Sequence, residues 1–202
     1  MNETKVQFSN TEMELMCNQE FILTKNRVVE KVKTLLEEIQ NQMMDDCRNN
    51  AKLSSTEIFS VTPKISKGEN YLGLPYQILD YPRLFRHQDI FAIRTMFWWG
   101  NFFSITLHLS GLYKLQYETK VQAGFNYFAK EGYSIGVNED PWIHHFDEDN
   151  YKEIVLLNEK TFLEECTKAH HLKIAKKISL KDADLRKKIL ENWQLLIAIC
   201  FN

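Results

Sequence analysis

An α+β fold is the class this sequence predicts. Three observations point to it: apolar residues at helical spacing near both ends of the chain, two adjacent runs rich in β-branched and aromatic residues in the middle, and glycine and proline punctuation between them. The expected arrangement is a long N-terminal amphipathic helix and a C-terminal helix packed on a small, mainly antiparallel sheet built around a 90–110 hairpin. At 202 residues the chain suits one globular domain, which hides roughly 70% of its unfolded surface. Residues 11–47 read as a helical N-terminal segment and 61–202 as the α+β body.

The first helix is announced by Thr11-Glu12-Met13-Glu14, which has the form of a capping box. From Ile22 onward Val29, Val32, Leu36, Ile39 and Met43 recur at spacings of three and four, and Glu30, Lys31, Lys33, Glu37 and Glu38 fill the opposite face. A helix running close to Asp46, with a break near Thr24, follows. Arg48 to Ser60 is polar and aperiodic and reads as a loop. Pro63, Gly68, Gly73, Pro75 and Pro82 interrupt the next stretch, so 61–89 reads as loops with short extended pieces.

Ile90 to Phe97 and Phe102 to Ser110 flank Trp99-Gly100-Asn101 and should pair as an antiparallel hairpin. On the second run Phe103, Ile105, Leu107 and Leu109 share one face, while Ser104, Thr106, His108 and Ser110 share the other. A two-residue Gly100-Asn101 turn sets Thr95 across from Thr106, and a one-residue change of loop length sets Arg94 there instead. Beyond it, Tyr117, Val121, Phe125 and Phe128 mark a helix ending near Gly132, and Tyr133 to Val137 a short strand. Ile154–Leu157 and Leu172–Ile178 read as strands and Thr161–His170 as a helix. Ser179 with Asp182 starts the last helix, whose inner stripe is Leu185, Ile189, Trp193 and Leu196.

Composition excludes several classes of function. A net charge of −2 gives no global attraction to nucleic acid or anionic lipid. The four cysteines are scattered without C-x-x-C spacing and read as reduced thiols. No basic, apolar leader opens the chain and no apolar run approaches membrane-spanning length, so a soluble cytoplasmic protein is expected. The basic stretch 168–188 lacks interleaved aromatics, which argues for a solvated surface over a nucleic-acid site. It also suits an acidic partner, the 139–149 loop of the same chain or of a second copy in a homodimer.

Two constellations offer chemistry. The segment Asp140 to Tyr151 sets His144 and His145 among Asp140, Asp147, Glu148 and Asp149. Imidazole with carboxylate is a ligand set for zinc, iron or manganese, which makes His144, His145 and Asp147 candidate metal ligands and a divalent ion the candidate cofactor. Adjacent histidines in extended chain point to opposite sides, so one of the two would serve a given ion. A second H-x-D, His87-Gln88-Asp89, is compatible with a non-haem iron triad, but the terminal helices leave too little chain for the jelly roll such a site uses. The same-face Ser104, Ser110 and His108 lack a nucleophile elbow and an orienting carboxylate.

The second constellation is the aromatic centre, where Trp98 and Trp99 alternate sides, one toward a core and the other toward a pocket wall. The leading expectation is therefore a pocket for a small molecule or partner between this hairpin and the His-His loop, lined by Arg94, Trp98, Trp99, Thr106, His108, Trp142 and Tyr151. The competing expectations are a metal-dependent enzyme, hydrolase or oxygenase, using His144 or His145 with Asp147, and an interaction or immunity-type protein acting through charged surfaces.

Overall fold

In the computed structural model, which describes residues 6–201, an antiparallel seven-stranded sheet carries helices on one face and a long loop on the other. The strands are β1 (Lys64–Tyr71), β2 (Leu74–Arg86), β3 (Asp89–Trp98), β4 (Phe102–Ser110), β5 (Ser134–Gly136), β6 (Tyr151–Glu153) and β7 (His171–Ile178), in the order β1-β2-β3-β4-β7-β5-β6. Helices at both chain ends and an antiparallel sheet between them make the fold α+β, as composition and periodicity predict.

The helices are α1 (Asn10–Cys17), α2 (Gln19–Arg48), α3 (Ala51–Ser54), α4 (Gly111–Ala123), α5 (Phe125–Lys130), α6 (Glu159–Lys168) and α7 (Leu185–Phe201). Val32, Leu36, Ile39 and Met43 of α2 bury their stripe with Ile189, Trp193 and Leu196 of α7. Both helices lie against the sheet face formed by Leu79, Phe91, Ile93, Phe103, Ile105 and Leu107. The Trp193 indole N–H donates to the Tyr81 carbonyl at 2.8 Å, which keeps the one polar atom of that ring satisfied inside the core.

Several boundaries differ from the sequence reading, each for a local reason. The capping box is Ser9 with Glu12, two residues earlier than Thr11 with Glu14, because the Ser9 side chain takes the Glu12 N–H and the Glu12 carboxylate returns to the Ser9 N–H. The first helix breaks at Asn18, not Thr24, since the Asn18 side chain caps α2 by accepting from Phe21 N. The 48–60 loop contains α3 and a 3₁₀ turn over Glu57–Phe59. Ile154–Leu156 is a 3₁₀ turn and the strand lies just before it, at Tyr151–Glu153. The last helix starts at Leu185, where the Asp184 carboxylate accepts from Lys187 N at 2.9 Å, and not at Ser179. The helix expected to end near Gly132 is two, α4 and α5, which meet at Gly124.

The largest correction is within 61–89, expected as loops with short extended pieces, where the long hairpin β1–β2 forms instead. Its two-residue turn is Leu72-Gly73, both at positive φ of 49° and 82°, a conformation usually signalled by Asn-Gly. Pro82 sits where the β2–β3 register shifts between Asp80 and Arg83, so its missing N–H costs no ladder bond.

The β3–β4 loop is Trp99-Gly100-Asn101, with Trp98 opposite Phe102, and so the register is the one that pairs Arg94 with Thr106. Rows of side chains then run across the sheet on the face away from the helices. One row is Asp80, Arg94, Thr106, Ala175 and Ser134; the next is Arg83, Ala92, His108 and Lys173.

Burial of the α2 stripe makes a direct prediction. Ile39→Ala should cost about 2–5 kcal/mol of stability by urea unfolding, and Glu38→Ala, on the exposed face, no more than about 0.5 kcal/mol.

Candidate ligand-binding site

The sheet face away from the helices is polar at its centre, and residues 137–150 fold over it as a cap. This segment is braced by its own side chains: Asn138 Oδ1 accepts from Asp140 N at 2.9 Å, and Asp140 Oδ1 accepts from Trp142 N at 2.8 Å. Both Asn150 N and Tyr151 N donate to the Asp147 carbonyl at 2.9 Å. The Tyr71 hydroxyl accepts the consecutive N–H groups of His144 (2.6 Å) and His145 (3.0 Å), which fastens the middle of the cap to the β1–β2 hairpin.

Beneath the cap Arg94 holds Asp80 with two parallel bonds, Nε to Oδ1 at 2.8 Å and Nη2 to Oδ2 at 2.9 Å. Its Nη1 lies 3.0 Å from His144 Nε2. A guanidinium only donates, so Nε2 accepts and the imidazole is neutral with its hydrogen on Nδ1. Burial and the adjacent Arg94 charge push the His144 pKa far down, in agreement with that tautomer.

Lys173 is 2% exposed, and its ammonium donates to the Ile143 carbonyl at 2.6 Å and lies 4.9 Å from the Tyr151 ring centroid. Among the described residues no carboxylate lies within 4 Å of it, and burial with the Arg94 charge lowers its pKa to about 7. Gly136 makes room for this side chain: a Cβ there would approach Lys173 Cβ to 2.9 Å.

His108 faces Trp142 and His171 edge-on, with ring centroids 5.4 and 5.9 Å away. Its Nε2 is buried without a hydrogen-bond partner, as are the Tyr151 hydroxyl, which faces Thr106, and Asn150 Oδ1. Burial first, then the charge of Lys173, lowers the pKa of His108 to about 3 and of His171 to about 4.

Two spaces adjoin His108. An enclosed one of about 10 Å³ lies between Arg94, Thr106, His108, Trp142, His144 and Lys173. An open groove of about 440 Å³ lies outside it, walled by Ile90, Ser110, Glu139, Pro141, His171 and Trp142. His108, Pro141 and Trp142 line both, so the half-exposed Trp142 divides one from the other.

Of the residues expected at a site, Arg94, Thr106, His108, Trp142, His144 and Tyr151 come together here. Trp98 shares the face but packs at its far end against Tyr71 and Phe102, donating to the Tyr71 carbonyl at 3.2 Å. Trp99 packs against Phe97 on the helix side. His145 points away from His144, as neighbours in extended chain do; its Nδ1 is 3.2 Å from Asp147 Oδ2 and 3.9 Å from Asp149 Oδ1. Those three ligand atoms lie within 4.8 Å of one another, the only such group among the described residues, and neither His87 nor His108 belongs to it.

Asp80, Tyr71, His171 and Lys173 were not among the residues expected. Lys173 carried a signal: His171, Lys173, Ala175 and Lys177 alternate with Leu172 and Ile174, which sets Lys173 on the polar face of a strand and not on a solvated basic patch. The other lysines of that stretch are mostly paired, Lys176 with Glu131, Lys187 with Glu191 and Lys188 with Asp182. Among the described residues no helix is long and apolar enough to cross a membrane. Comparison with protein families, with characterised proteins and with solved structures finds no match to this chain.

The neutral, buried imidazoles make stability depend on pH. The unfolded chain binds protons at His108 and His171 below about pH 6.5 and the folded one does not until about 4 or lower, so stability falls as pH falls through that window. Melting temperature should decline from pH 6.5 to about 5.5, largely above the range where glutamates protonate, and the decline should be shallower in His108→Leu. A flat profile there would show the imidazoles to be freely solvated.

Proposed function

We propose that this chain is a binding module for a small molecule, taken up from the groove beside Trp142 and held between the polar sheet face and the 137–150 cap. The observation that carries the reading is His108 Nε2, a buried polar atom without a partner on the one residue of the sheet that lines both the small space and the groove. Such an atom costs about 1–3 kcal/mol if left unpaired, and a bound molecule is one way to satisfy it. An adjoining groove walled by Ile90, Pro141 and Trp142 with a few polar groups has the make-up of a ligand site.

A binding role fits the side chains better than nucleophilic catalysis. The Ser110 hydroxyl is engaged with the Gln88 carbonyl, and Ser104 stands opposite Met96 and Lys177, away from His108. Burial pushes the thiols of Cys47, Cys166 and Cys200 up to about 11 or 12, which keeps them protonated. A second reading, a divalent metal on the cap's outer side, is favoured by the convergence of His145, Asp147 and Asp149.

A thermal-shift screen of small organic compounds tests the first reading, with Gln88→Trp as a plug on the exposed groove rim. Compounds that stabilise the native protein should lose at least about tenfold in affinity in Gln88→Trp; a full set of unaffected hits would place binding elsewhere. Zinc and manganese in the same assay address the second: stabilisation by either should vanish in Asp147→Ala, and indifference to both removes it.

A further inference from the structure

We propose that the ligand is an organic anion, whose carboxylate or phosphate head docks against Lys173 and His108 beneath the cap while a flat or apolar body lies along Trp142 in the groove. This rests on the binding reading above and names its ligand class.

Charge and unmade hydrogen bonds under the cap both call for an anion. Two cations, Arg94 and Lys173, are brought under the cap, and one carboxylate, Asp80, meets them there. Both Asp80 oxygens are taken by the fork of Arg94. That leaves the Lys173 charge without a counter-ion in contact; Asp140 acts on it only from a greater distance. Burying a cation unpaired costs several kcal/mol, so an anion supplied from outside has a large favourable effect at that point. Donors stand ready for it. An ammonium has three, and hydrogen bonding of Lys173 within the chain uses one, to the Ile143 carbonyl. His108 Nε2, directly across the β4–β7 ladder from Lys173, has no partner and becomes a donor in the tautomer or charge state that an anion favours.

The walls give the rest of the ligand. His108 lines both the enclosed space and the groove, so a head that reaches Lys173 has its body in the groove, against Ile90, Pro141 and Trp142. The enclosed space of about 10 Å³ holds no more than one water, and the head therefore displaces the Trp142 ring. That ring is 46% exposed and leans on Phe85, His108 and Arg94 by face and edge contacts. The same excess of positive charge repels a divalent cation, so any metal belongs on the other side of the cap, with His145.

The test is isothermal titration and thermal shift of the intact chain at pH 6, where Lys173 carries its proton, with benzoate and phenyl phosphate as probes, benzamide as the neutral isostere of benzoate, and inorganic phosphate as a head without a body. Benzoate or phenyl phosphate should raise the melting temperature by about 5 °C at saturation, with benzamide and inorganic phosphate at least about tenfold weaker. Which of the two binds tighter distinguishes a carboxylate site from a phosphate site. Lys173→Met should melt no lower than the native chain, because it removes an unpaired buried charge, and should lose at least about tenfold in affinity for the anion; His108→Leu gives a second, independent loss. Lys177→Met, outside the enclosed space, should bind as the native chain does. Equal binding of benzoate and benzamide, or undiminished anion binding in Lys173→Met and His108→Leu, overturns the anion assignment and leaves a neutral-ligand site standing. Failure of every charged and neutral compound removes the binding reading itself.

Discussion

The Arg94 guanidinium is the tie between the two halves of the structure. Through Asp80 it joins β3 to β2, and through His144 it joins the sheet to the cap. A guanidinium in the middle of a sheet would be a liability alone, since its desolvation costs more than any single hydrogen bond returns. The bidentate Asp80 carboxylate offsets that cost, and the neutral His144 takes a further N–H without adding charge. With those donors satisfied, the polar face of the sheet can be covered by a loop rather than by a second layer of helices.

That constraint explains the unequal faces of the sheet. The helix side is a continuous apolar core from Leu36 and Ile39 through Phe91 and Leu107 to Phe162. The cap side has a small apolar cluster at one end, Ile78, Met96 and Trp98, and a row of charged and neutral polar groups at the other. Tyr71 links the two ends: its ring packs on Trp98 and its hydroxyl holds the cap's backbone at His144 and His145. Aromatic packing at one end thus positions the polar cluster at the other.

Much of the architecture was legible in the sequence because it follows from periodicity. The α2 stripe, the 90–110 hairpin and the final helix are patterns of apolar spacing, and the structure places them where spacing does. What was not legible depended on partners distant in the chain. The β1–β2 hairpin is half polar, carries Pro75 beside its turn and Pro82 within β2, and turns through Leu72-Gly73, so its strands are identified by what they pair with and not by their own composition. The site shows the same division. Arg94 was recognisable as a candidate, yet its face depended on a one-residue choice of loop length. Lys173 read as one of many surface lysines; the alternation in its own segment marks the polar face of a strand, but that β4 and the cap enclose this face depends on residues distant in the chain. Asp80 was invisible for the same reason, lying in a stretch that read as loop.

Entry of a ligand to Lys173 requires the cap to be a separable cover over a site rather than a fixed part of the core. Hydrogen exchange of the backbone amides tests this most directly. The His144 and His145 N–H groups, both bound to the Tyr71 hydroxyl, should exchange by local opening at a free energy well below that of the β3 and β4 ladder amides, which should exchange only with global unfolding. Exchange of the cap and ladder amides at one common free energy would contradict the account, because it would make the cap one cooperative unit with the core and leave no opening through which a ligand reaches Lys173.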